Sequence, residues 1–381
     1  MVFHLVGLGL ADEEDITLKG LRAVKSCTKV YLEAYTSILT VPHARLEELF
    51  GVAIEIAPRE LVESNIEPIL ERSRTENIAL LVVGDPFGAT THCDLLARAK
   101  ELQVPTNIVH NASIMNAVGC CGLQLYRFGE TISIPFFSTT WRPDSFYDKL
   151  AANKRAGLHT LALLDIKVRE PTIPSLARGK PEYLPPRYMS IRQSIQQLLA
   201  VEADRADGVC PPDARAIGIA RVGAPSQLVV HGSLSELLAV DFGEPLHSLV
   251  LVGQPGADEE ELLAAFALSA TAAPALDVQA AEAVDMAAAR AAAAHAGERL
   301  ELIGADDESD EGGEDCDYGA SDYGASEHRS TTAATASQPP SEADAAASET
   351  RGGLHKFAAS EVDVHGGNAT ADDFLDAFGF D

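Results

Sequence analysis

Short apolar runs alternate along the chain with stretches whose apolar positions recur every third or fourth residue. The runs predict buried strands and the spaced stretches predict amphipathic helices. "VFHLVGLGL", "KVYLEAY", "VAIEIA", "IALLVVG" and "TNIVHN" form the strand series. Between them, "DITLKGLRAVKSCT" places Ile16, Leu18, Leu21 and Val24 roughly on one helical face. "HARLEELFG" ends on a glycine stop at Gly51, and "ESNIEPILERSR" and "CDLLARAKELQ" complete the helices. Strands alternating with helices define an α/β unit with a mainly parallel sheet.

A second series follows "NASIMNAVGCCGLQLYRFG", which is predicted to carry the chain across as a helix. Its strands are "TISIPFF", "HTLALLDI", "RAIGIARVG" and "HSLVLVGQP". Its helices are "SFYDKLAANKRAG", "PRYMSIRQSIQQLLAVEAD" and "SLSELLAV". The prediction is therefore two α/β lobes with mainly parallel sheets, over residues 1–112 and 113–270. An Ala-rich stretch, 271–303, favours helix. Residues 304–381 are acidic, small and of low complexity, a composition expected to stay disordered.

Charge sharpens this division. The chain of 381 residues carries a net −28, but from Asp258 onward there are 28 acids against 5 bases, a net of −23. Residues 1–257 hold 29 acids and 24 bases, only −5. The folded part has no broad basic stripe, which argues against nucleic acid as a partner. No run of about 18 apolar residues is present, which argues against a membrane span. "MVFHLVGLGL" lacks the basic start of a secretory leader and runs straight into acids. The six cysteines match neither a zinc site nor a disulfide framework, and fit reduced thiols in a cytoplasmic protein.

Chemistry is sparse. Gly7 and Gly9 after the first strand let the backbone turn tightly, but Asp12 stands where a dinucleotide fingerprint needs glycine. That disfavours a nicotinamide enzyme and leaves a plain turn, with Asp15 capping the next helix, as the simpler reading. "LLVVGDPFGATTH" holds Asp85 past a strand end ahead of a proline, with glycines at 84 and 88. Asp85 there either lines a ligand site, as loops at strand carboxyl ends do, or caps its own turn. Ser113 and Ile114 follow a strand at the lobe junction and suit either a ligand or a helix cap. His247 precedes a buried strand with no Asp-His-Ser order around it. Paired carboxylates, H-E-x-x-H and a P-loop are all missing, so neither a metal hydrolase nor a P-loop NTPase is supported and no metal is assigned. Such a cleft suits a cofactor that brings its own reactivity.

These segments, with "YLEAYTS", "LLDIKV", "PPRYMS" and "GEPLHSL", resemble the diphthine synthases of the eukaryotic kind from residue 1 to about 256. That family lies in the tetrapyrrole-methylase-like class of S-adenosylmethionine-dependent methyltransferases. The resemblance implies two α/β domains with S-adenosyl-L-methionine in the cleft between them, and a homodimer. It implies cofactor contacts from Leu10, Asp85, Gly88, Ser113, Ile114, Leu164, Val222 and His247. Ala11 stands where the family usually has glycine. The implied substrate is elongation factor 2, whose modified histidine is methylated on its amine and esterified on its carboxylate in diphthamide biosynthesis. Two alternatives stand beside this: another methyltransferase of the same fold, and a non-catalytic interaction protein that binds the cofactor.

Overall fold

The computed structural model describes residues 1–138, 141–168, 183–277 and 279. The acidic tail, 304–381, and the Ala-rich stretch from residue 280 lie outside the described residues. Among the described residues, twelve strands arrange into two five-stranded sheets and a two-stranded ribbon.

The first sheet takes β1 (Phe3–Gly7), β2 (Lys29–Glu33), β3 (Ile54–Ala57), β4 (Ile78–Val82) and β5 (Thr106–Val109), in the order β3-β2-β4-β1-β5. All its pairings are parallel, as alternating strands and helices require. Both faces are covered. Leu5, Tyr31, Ile78 and Leu80 pack against Ile69, Leu70, Leu95 and Ala99 on one side. Val6, Val30, Ala79 and Leu81 pack against Ile16, Val24, Leu46 and Phe50 on the other. The helix Leu18–Lys25 is capped by the Thr17 side chain and buries Gly20, Ala23 and Val24. Leu18 departs from the expected face and is 71% exposed. At about 100° per residue it sits well round the helix from Val24.

The second sheet takes β6 (Ile132–Ile134), β7 (Thr160–Leu164), β10 (Arg215–Ala220), β11 (Leu228–Ser233) and β12 (His247–Leu251), in the order β11-β10-β12-β7-β6. The mainly parallel pattern expected for both lobes does not extend here. Only β6 and β7 are parallel, and the other three pairings are antiparallel. The reason is connection length: β10 and β11 are joined by a short turn, and only antiparallel neighbours can be linked that way. The helices Ser145–Arg155 and Ile191–Arg205 cover one face through Tyr147, Leu150, Ile195 and Leu198. The other face rests on Val118, Cys121, Leu123 and Leu263.

The crossing segment is not one helix. It is a short helix at Ile114–Ala117, a 3-10 turn at Val118–Cys121 and another at Leu125–Arg127, broken at Gly122. The ribbon pairs β8 (Ile166–Lys167) with β9 (Arg187–Tyr188). No helix among the described residues is long and apolar enough to cross a membrane.

Candidate functional site

One cleft collects the chain turns that leave the two sheets. It encloses about 1130 Å³ of space continuous with solvent. From the first sheet it is lined by turns that follow β1, β2, β4 and β5, the carboxyl ends where open parallel sheets gather ligands. From the second it takes the end of β7, the end of β10 and the start of β12. These three meet at one edge because β12 runs antiparallel to both neighbours: His247 sits opposite Ala220, and Ser248 opposite Leu163.

The first-lobe wall is built by mutual constraint. Gly9 has φ +90°, a conformation that only glycine adopts freely, and exchanges backbone hydrogen bonds with Gly84 at 3.2 and 2.7 Å. Asp15 holds the turn beneath it, its Oδ2 accepting from the amides of Leu10 at 3.2 Å and Ala11 at 2.7 Å. Asp15 therefore ties the glycine turn rather than capping a helix. Asn111 joins the third turn, donating from Nδ2 to the carbonyls of Gly7 and Asp15, each at 3.0 Å. Gly88 lies so near Ser113 that an added Cβ would meet Oγ at 2.5 Å.

Leu10, Gly88, Ser113, Ile114, Leu164, Val222 and His247 all line this cleft. Asp85 does not. Its Oδ1 accepts from the Phe87 amide at 2.9 Å, and its Oδ2 accepts from the Asn111 amide at 3.0 Å and faces His110 Nδ1 at 2.9 Å. Burial pushes this carboxyl up, but those donors outweigh burial and hold it below the ordinary aspartate range. Asp85 thus fastens the Gly84–Gly88 turn to the turn after β5. The turn-capping role is the one its geometry shows.

His247 is held down to about 4 by burial, with the Arg221 charge adding in the same direction. One ring nitrogen lies 3.1 Å from the Glu244 carbonyl. The imidazole is therefore neutral at pH 7. Thr90 Oγ1 is buried in the cleft wall with no protein partner. Thr36, Ser37, Thr40, Tyr188, Met189 and Arg221 also line the cleft, and sequence reasoning passed over them. The signal for Thr36 was available: the loop after β2 leaves the same carboxyl edge as the turns after β1 and β4. "PPRYMS" contained Tyr188 and Met189 with nothing local to mark them as a wall. The described residues hold no His/Cys/Asp/Glu group able to bind a metal ion.

A family profile, Tetrapyrrole (Corrin/Porphyrin) Methylases, matches residues 2–238. The chain belongs to this family and is a methyltransferase. Within it, the chain stands among the diphthine methyl ester synthases. The one from Schizosaccharomyces pombe is 53% identical over 269 residues, which is 70% of this chain and 95% of that protein. The human one is 53% identical over 256 residues, 66% of this chain and 90% of its own length. A crystal structure of diphthine synthase is 34% identical with a TM-score of 0.60, covering 70% of this chain and 96% of that one.

Proposed function

We propose that this chain is an S-adenosyl-L-methionine-dependent diphthine methyl ester synthase acting on elongation factor 2. The acceptor is a histidine already carrying a 3-amino-3-carboxypropyl group, whose amine is methylated three times and whose carboxylate is esterified. The observation that carries this reading is convergence: seven residues scattered from Leu10 to His247 line a single cleft.

The cleft suits the cofactor. Leu10, Ile114, Leu164 and Val222 offer apolar surface to a flat base and a thioalkyl chain. The unpartnered Thr90 hydroxyl can bond a polar ligand atom. A neutral His247 does not repel positive charge. When bound, the cofactor supplies an electrophilic methyl group on a cationic sulfur. The glycine turns let the backbone come close, and the apolar walls orient the ligand and exclude water. A carboxylate acceptor is anionic at neutral pH and needs no base, while the amine loses its proton to solvent. No side chain is assigned as acid or base.

Residues 1–112 and 113–270 are read as the two functional lobes, and the protein as a cytoplasmic homodimer. Mass spectrometry tests the reaction: unmethylated elongation factor 2 intermediate, incubated with this protein and cofactor, should gain methyl groups including a hydrolysable ester. No mass gain would overturn the reading. Sedimentation velocity should give twice the chain mass.

A further inference from the structure

We propose that Arg221 is a positioning residue that clamps two turns of the second sheet into one rigid wall of the donor site. This rests on the reading of the cleft as the methyl-donor site.

Arg221 follows β10 directly and has φ +50°, a left-handed conformation that costs free energy for a residue with a side chain. Such strain persists only where surrounding contacts hold it, and here they are dense. Nε donates to the Ser226 carbonyl at 3.1 Å and to Ser226 Oγ at 3.0 Å. Nη2 donates to the same carbonyl at 2.9 Å. Nη1 donates to the Phe242 carbonyl and, at 2.6 Å, to the Glu244 carbonyl. The Arg221 amide donates to the Leu246 carbonyl at 2.9 Å. One side chain therefore binds the 221–227 turn, and one residue ties it to the 242–246 turn.

Both turns face the cleft. Val222 comes from the first, and Leu246 and His247 from the second. The clamp also reaches the opposite lobe. Gly223 is seated against Leu10, where an added Cβ would lie 3.0 Å from the Leu10 Cβ. Leu10 is itself a lining residue, so the turn that Arg221 holds sets the gap between the two walls. A planar fork that serves carbonyls on three residues cannot be replaced by an ammonium on a flexible stem.

The test is titration calorimetry with S-adenosylmethionine on the full chain, paired with steady-state kinetics. Arg221→Met should weaken binding by about 30-fold, the scale of losing several hydrogen bonds to a charged group. The donor KM should rise in parallel, while kcat at saturating donor should stay within about threefold, because the residue sets the ground-state pocket. Arg221→Lys should recover only part of the affinity although it keeps the charge. If the Met variant does not fold, the Lys variant decides. Binding within about threefold of wild type in a folded variant would overturn the proposal, as would a fall in kcat with unchanged KM. If the wild-type chain itself fails to bind the donor, the reading of the cleft fails, whatever Arg221 does.

Discussion

Asp85 shows what a local stretch of sequence can and cannot say about a residue. Its neighbours fixed where it stands, past the end of β4 and ahead of a proline. They did not fix where its oxygens point, because His110 and Asn111 arrive from the turn after β5, about 25 residues on. Asp85→Ala strips the acceptor from two half-buried amides, at about 1–3 kcal/mol for each buried donor left unpaired. The expected outcome is a lower urea midpoint together with weaker cofactor binding by calorimetry, since the turn carrying Gly88 loosens. Gly88→Ala should act differently. Its new methyl would press on Ser113, so affinity should fall about tenfold for a modest loss of stability, the range of local overpacking. His247 supplies a pH test. Its folded pKa of about 4 lies below its unfolded value, so the unfolded chain binds the extra proton between about pH 6.5 and 4. Stability therefore falls as pH drops through that window. The thermal midpoint should decline by about 5 °C across it, and less steeply in His247→Gln. His4, His159 and His231 are also lowered by burial and add the same sign. Asp85, with a lowered carboxyl, loses its contribution only below it.

At the scale of elements, periodicity found most strands of both large sheets but not their directions. Period-two alternation and buried runs look alike whichever way a neighbour runs, so the antiparallel part of the second sheet was invisible. β11 escaped because its apolar run covers only Leu228–Val230 before His231 and Gly232. The ribbon strands, two residues each, are shorter than any periodic signal. The crossing segment departs from a single helix for a backbone reason: Gly122 takes φ +88° and ends the helical turn. One packing detail at this scale is testable. Gly218, inside β10, faces the Phe242 ring so closely that an added Cβ would lie 2.2 Å from it. Gly218→Ala should lower the unfolding free energy by about 1–3 kcal/mol, read as a shift of the urea midpoint, because a close-packed core cannot absorb the methyl.

For the whole molecule, the charge division matters more than the total. Most of the −28 resides beyond Asp258, yet the folded body does not end there. Glu259 is buried and accepts from the amides of Gln124 and Gly256. Leu263 is fully buried, the Asp241 amide donates to the Pro274 carbonyl, and the Leu276 amide to the Ala239 carbonyl. The packing therefore runs past residue 260, well into the part of the chain where the acidic excess begins. A chain ending at residue 280 should keep its thermal midpoint and cofactor affinity. One ending at 260 should lose stability by calorimetric scan.

Ser113 and Ile114 belong to the passage from β5, the last strand of the first sheet, to β6, the first strand of the second. The tether joining the two sheets is thus part of the cleft wall. Splitting the polypeptide at that joint, or splicing in a spacer, would disturb ligand contacts as well as chain continuity. Halves expressed separately and mixed should bind S-adenosylmethionine more weakly than the intact chain by calorimetry.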